Sequence, residues 1–238
     1  MKVVLFCGGF GMRMRGDGGD GLPKPMQLVG PRPLLWHVMR YFAHYGHKEF
    51  VLCLGYGGQS IKEYFRNYDL TASNDFVLRN GEVELIGETI DDWTITFVDT
   101  GQDTPIGERL RRVREHLDPG ETFLANYADV LTDAPLDVMV ERFEEANASA
   151  SMLVVPPPSS FHYVDMTRPP YVDEIRRAGD LPLRVNGGYF ILRPEVFDHL
   201  PENGDLVEDA CAALAARGRL IAQPHDGFWK PADTFKER

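Results

Sequence analysis

Residues 5–14 read LFCGGFGMRM and residues 22–26 read LPKPM. An apolar run breaks into Gly8, Gly9 and Gly11, Arg13 follows, and Lys24 comes next between two prolines. Glycines let main-chain amides approach an anion closely and form a nest of N–H donors. Arginine adds a rigid fork of donors and lysine a point charge, so the set suits a phosphate chain. Each charge-assisted bond is worth roughly 1.5–3 kcal/mol, and two or three hold a nucleotide tail. Two acids complete the chemistry. Asp129 ends the apolar run FLANYAD, and Asp233 lies in FWKPADTF. A carboxylate at the end of a strand can hold Mg²⁺ together with phosphate oxygens. It can equally form a turn or cap a helix, and the residues alone leave both readings open. Asp133 and Asp137 are expected to serve the start of the next helix.

The glycine turn can be tested against known phosphate-binding patterns. The dinucleotide fingerprint needs a third glycine where this chain has Met14, and no Gly-Lys-Ser/Thr of the Walker type occurs. What remains is G-G-x-G-x-R followed by a lysine. The competing reading is a plain flexible loop, as RGDGGDG at 15–21 also suggests.

These groups need a scaffold, and the sequence describes one. KVVLF at 2–6 and EFVLCLG at 49–55 read as buried strands of a parallel sheet. WTITFVD, TFLANYAD, SMLVVP, VNGGYFIL and RLIAQP read as further strands. Helical periods run through 33–45, with a proline in the first turn and Gly46 past the end, and through 59–68, 106–117, 135–148 and 206–218. Strands and helices alternate to about residue 156, which predicts a Rossmann-like α/β fold: a mixed, mostly parallel sheet flanked by helices. The expected organisation is one domain over 1–238, with 1–156 as nucleotide-binding core. Residues 157–238, proline-rich at first, are then the acceptor half and closing elements.

The chain has 238 residues, enough for one large domain. Its net charge of −11 argues against a nucleic-acid partner, so positive charge near the glycines must act locally. Three widely spaced cysteines suit neither a disulfide framework nor a zinc site, and a reducing cytoplasm is the expected location. The first apolar run is too short for a signal peptide, and no stretch approaches a membrane span.

Several motifs occur in a fixed order: LFCGGFGMRM, LPKPM, PLLWHVMRYFAHYG, VLCLGYGGQSIKEYF, ITFVDTG, IGERLRRV, FLANYAD, VNGGYFIL and GFWKPADT. Together they resemble the sugar-phosphate nucleotidyltransferase family, most closely its glucose-1-phosphate cytidylyltransferase branch, from Met1 to about residue 236. The resemblance implies that a sugar-1-phosphate oxygen attacks the α-phosphorus of a nucleoside triphosphate and pyrophosphate leaves. CTP is the expected triphosphate and glucose-1-phosphate, or a modified sugar or heptose phosphate, the acceptor. UTP, GTP or dTTP, or a nucleotide-binding paralogue without turnover, are the alternatives.

The resemblance also implies roles. Phe6, Cys7, Gly8, Gly9, Phe10, Gly11 and Met12 line the nucleotide with their main chain. Arg13 and Lys24 hold the triphosphate and, with Asp129, form the catalytic set. Asp129 and Asp233 bind Mg²⁺. Arg109, Tyr127, Ala128, Arg177, Asn186 and Gly187 receive the sugar phosphate. Oligomer contacts between copies of the chain are left open. Three departures stand out. Cys7 and Met12 replace the family's alanine and threonine. Ala128 replaces a glycine, so a methyl is expected to narrow the sugar site. The family's Glu-Lys-Pro lysine is missing from DEIRRAGDLPLRVNGG, leaving Arg176, Arg177 or Arg184 to meet the sugar phosphate.

Overall fold

The computed structural model describes residues 1–9, 22–87, 90–157 and 162–231. Phe10, Gly11, Met12, Arg13 and Asp233 lie outside the described residues.

The strands are β1 (Val3–Phe6), β2 (Leu28–Val29), β3 (Arg32–Pro33), β4 (Glu49–Leu54), β5 (Asp75–Arg79), β6 (Glu82–Ile86), β7 (Thr94–Asp99), β8 (Phe123–Asn126), β9 (Val130–Thr132), β10 (Ala150–Val155), β11 (His162–Asp165), β12 (Glu174–Arg177), β13 (Val185–Leu192), β14 (Leu220–Pro224) and β15 (Trp229–Pro231). The helices are α1 (Leu34–His44), α2 (Gly58–Arg66), α3 (Ile106–Arg112), α4 (Leu136–Glu145) and α5 (Ala212–Ala215). Seven strands form the main sheet in the order β14-β10-β13-β8-β1-β4-β7. Every pairing in it is parallel except the two made by β13, which runs antiparallel to β10 and β8. The expected mostly parallel sheet is therefore present. It does not stop at residue 156, because β13 and β14 complete it.

The apolar runs are continuous because both faces of the sheet are covered. Val3 and Leu5 of β1 and Phe50, Leu52 and Leu54 of β4 join one core with Leu35, Val38, Met39 and Phe42 of α1. Val4, Phe6, Val51 and Cys53 point the other way, into a second core with Leu110, Phe190, Leu206 and Leu214. Burial raises the Cys7 thiol well above its ordinary pKa and pushes Cys53 up to about 12, so both are inert small hydrophobes.

Three helical segments differ from expectation. Helix α3 stops at Arg112, and a 3₁₀ turn at Arg114–His116 follows. The segment after Asp205 opens as a π-helical turn, Leu206–Cys211, with the Asp205 carboxylate accepting from the Val207 and Glu208 amides. Asp133 does not cap α4, whose N-cap is Pro135. Its carboxylate is instead 2.7 Å from Nε2 of His225. Outside the main sheet, β5 and β6 form a hairpin around Asn80 and Gly81, both at positive φ, and β11 and β12 form another.

Candidate active site

A cavity of about 550 Å³ opens at the carboxyl ends of β1, β7 and β8, where open α/β sheets bind ligands. Phe6, Gly8 and Gly9 form one wall and the loop from Gln102 to Ile106 another. Tyr127 and Asp129, just past β8, supply a third, and Arg109 lies at the junction.

Arg109 is 3% exposed and organises this end of the sheet. Its Nη1 donates to the Leu54 carbonyl (3.2 Å) and the Thr100 hydroxyl (2.8 Å). Its Nη2 donates to the carbonyls of Gly8 (3.1 Å) and Gln102 (3.0 Å). One guanidinium thus ties together the ends of β1, β4 and β7. Gly8 is required by this pin. A Cβ there would lie 2.1 Å from Arg109 Nη1, whereas a Cβ on Gly9 would meet open space. The glycine pair therefore splits its work: Gly8 admits the arginine, and Gly9 leaves the cavity clear. Cys7 donates its N–H to the Cys53 carbonyl at 3.0 Å and turns its side chain into the core.

Lys24 sits in the 3₁₀ turn Lys24–Met26, behind Pro23. Pro23 presses on Gly57, where a Cβ would come within 2.6 Å of the proline ring. This seats LPKPM on the β4–α2 turn and brings Lys24 Nζ to 3.3 Å from Asp129 Oδ2. The catalytic cation and acid expected from opposite parts of the chain are thus adjacent.

Asp129 owes its place to a strained turn. Ala128 has φ +61°, a region that costs an L-residue about 1–2 kcal/mol. The Asn126 side chain holds it there, accepting the Ala128 N–H at 2.7 Å and donating to the Gly188 carbonyl at 3.0 Å. The Ala128 methyl is fully buried in the first core, so it does not narrow the cavity.

Tyr127 faces the cavity with its phenol oxygen 2.8 Å from Asn186 Nδ2. Asn186 is oriented by accepting the Gly188 amide at 2.9 Å. Burial pushes the Tyr127 pKa above its ordinary value despite the lowering effect of that amide, which keeps a neutral hydroxyl with its proton available to a ligand. The ring needs Gly188, where a Cβ would sit 2.8 Å from it. The Gly187 carbonyl accepts the Trp229 indole N–H at 2.9 Å, which ties β15 to the same strand.

Of the residues expected from sequence, Phe6, Gly8, Gly9, Arg109, Tyr127 and Asp129 meet around one cavity, with Lys24 bonded to Asp129 and Asn186 to Tyr127. Arg177 is exposed on β12, in register with His162, and does not line the cavity. Arg176 is paired with Glu174 and Arg184 with Asp226. Sequence reading passed over the loop Gln102–Pro105 and Asn126. The loop could have been found by its place, directly after a strand and before a helix. Asn126 gave no signal, because it sits inside an apolar run and acts through a turn.

No profile of a known protein family matches the chain. Curated relatives do. It is 33% identical over 244 residues to the glucose-1-phosphate cytidylyltransferase of Salmonella typhimurium, covering 100% of this chain and 93% of that one. It is 35% identical over 243 residues to the probable glucose-1-phosphate cytidylyltransferase of Bacillus subtilis, covering 99% and 92%. Among solved structures, a UDP-glucose pyrophosphorylase complexed with UDP-glucose matches with a TM-score of 0.69 at 19% identity, over 99% of this chain and 94% of that one. A putative glucose-1-phosphate thymidylyltransferase from Bacillus anthracis also gives 0.69, at 16% identity, over 100% and 92%. At those identities the structural matches speak for the fold.

Proposed function

The chain belongs to the sugar-phosphate nucleotidyltransferases, in the glucose-1-phosphate cytidylyltransferase branch, and from that premise we propose that it joins CTP to glucose-1-phosphate in the cavity built around Arg109. Enzymes of this family transfer a nucleotidyl group to a sugar-1-phosphate. A sugar-phosphate oxygen attacks the α-phosphorus, the bond to the β-phosphate oxygen breaks, and pyrophosphate leaves. Such chemistry is mostly in-line positioning and charge neutralisation.

The observation that carries the reading is the Lys24–Asp129 pair at 3.3 Å, beside the open face of Gly9. Main-chain groups at Gly8 and Gly9 approach the triphosphate. Lys24 holds the departing phosphates, and Arg13, next along the glycine turn, adds the second cation. Gln102 and Thr104 offer an amide and a hydroxyl from the opposite wall to the nucleotide. Tyr127, oriented by Asn186, donates its hydroxyl proton to the sugar phosphate. Arg109 is a positioning residue in this reading, since its donors go to four oxygens of the protein.

Magnesium fits the donor set. Among the described residues no three His, Cys, Asp or Glu side chains converge on one point. Asp103, Asp129 and Asp205 line the cavity, and Asp129, beside Lys24 and together with phosphate oxygens and, in this reading, Asp233, suits Mg²⁺, which needs few protein ligands. When bound, the ion would neutralise charge developing on the phosphates. Among the described residues no helix is long and apolar enough to cross a membrane.

The test is pyrophosphate release with magnesium, using CTP, UTP, GTP, ATP and dTTP, each against a panel of sugar-1-phosphates. Release that requires both CTP and glucose-1-phosphate supports the proposal. Faster release with another pair replaces the substrates, and silence across the panel overturns the reading.

A further inference from the structure

A second cavity, of about 600 Å³, lies by the opposite end of β8 from the first. Its size suits a small-molecule ligand. Phe123, which opens β8, stacks on Phe197 with ring centroids 5.9 Å apart and an interplanar angle of 25°. The Arg114 guanidinium lies 4.9 Å from the Phe197 ring centre. Among the described residues that ring contact is the interaction the Arg114 side chain makes, so its forked donors remain available to a ligand. Arg111 and Arg112 line the same cavity and share one carboxylate, Glu108. Acids stand there too: Asp118 is neutralised by Lys2 at 2.8 Å, and besides it stand Glu115, 3.9 Å from Nε2 of His116, and Glu121. A bare anion would be repelled by those two. A phosphate ester whose ring rests on the aromatic surface and whose hydroxyls meet the carboxylates would not.

Arg112 connects this cavity to the first. Its Nη1 donates to the Thr100 carbonyl (2.9 Å) and the Thr104 hydroxyl (3.3 Å). Thr104 lines the first cavity, and Thr100 accepts from Arg109. A phosphate that draws Arg112 toward itself withdraws donors from that wall. We propose that the cavity of Arg111, Arg112 and Arg114 is a second binding site, for a phosphate ester of a ring compound, and that its occupancy is felt in the first cavity through Arg112. The consequence for turnover, a looser wall and weaker substrate binding, rests on the function proposed above; the binding itself does not.

Phenyl phosphate is a suitable probe, since it carries one ring and one phosphate. Calorimetry on the full chain should detect binding, and Arg114→Gln should weaken it at least about tenfold, the effect of losing one charge-assisted bond. Arg114→Lys should recover part of the affinity, and melting curves of both variants check that they fold. In a parallel NMR titration the amide resonances of Thr100 and Thr104 should move with occupancy in the parent protein. No binding, or equal binding to Arg114→Gln, overturns the site. Binding that leaves those two resonances still overturns the connection through Arg112. These readouts need no nucleotide, so they stand or fall separately from the transferase assay.

Discussion

Arg109 and Arg32 are both almost wholly buried, 3% and 2% exposed, and both give their donors to oxygens of neutral groups. Arg32 donates to the Ser73 hydroxyl at 2.8 Å and the Tyr64 hydroxyl at 3.2 Å, and its guanidinium lies 4.2 Å from the centre of the Tyr68 ring. Arg109 gathers the carboxyl ends of three parallel strands. The same side chain with the same kind of partners thus does two jobs. One fastens the segment after α2 onto the start of α1. The other shapes a cavity floor. Burial of an arginine by itself does not mark a functional site; what its partners are attached to decides.

That contrast can be broken by substitution. Arg109→Met removes the donor of the Gly8 and Gln102 carbonyls and of the Thr100 hydroxyl oxygen, each worth about 1–3 kcal/mol when buried, whereas the Leu54 carbonyl keeps the Thr100 N–H and hydroxyl. It should cost at least about 3 kcal/mol of stability by denaturant unfolding and lower kcat/KM at least about 10²-fold. Gly8→Ala drives a methyl into the guanidinium and should lower kcat/KM by tens of fold, since small misplacements of a reactive centre are costly; a full rate would show that the pin is irrelevant to the site. Arg32→Met should lose less, about 1–2 kcal/mol, because the oxygens it bonds belong to exposed or half-buried residues, Ser73, Asp69 and Tyr64, that water can reach. Its kcat/KM should stay within about threefold of the parent. A large loss of rate there would erase the distinction between the two arginines. The smallest change concerns the strained turn. Ala128→Gly relieves about 1–2 kcal/mol of backbone strain but gives up a buried methyl worth about 0.8 kcal/mol and adds chain entropy. Stability should move by less than about 0.5 kcal/mol, where a buried alanine in ordinary backbone would cost about 1 kcal/mol.

The same two regions show what a sequence can reveal. Strands β1 and β4 were legible because both faces are covered, leaving an unbroken apolar run. Asp129 was legible because it ends such a run. The purpose of Gly8 was not, since its partner is 101 residues away and a glycine looks alike whether it clears space for a ligand or for a side chain. Nor was the place of β13, because the order of strands along the chain does not say that one will insert antiparallel between β8 and β10. Ala128 was misread for a related reason: its type suggests a methyl in the cavity, but the left-handed turn buries that methyl in the core. The β5–β6 hairpin did leave a signal, Asn80-Gly81 between two alternating runs, and it was passed over. The departures at Arg176, Arg177 and Arg184 could not be resolved by type alone, and two of the three are committed to carboxylates nearby.

The central claim is that the cavity at the carboxyl ends of the strands is where the nucleotidyl group is transferred, with Asp129 in it. The most direct test is the pyrophosphate-release rate of Asp129→Asn beside the parent protein, with CTP and glucose-1-phosphate and with melting curves for both. The rate should fall at least about 10²-fold, as for loss of one strong electrostatic group, with the fold intact. An undiminished rate in a folded Asp129→Asn protein would contradict the claim.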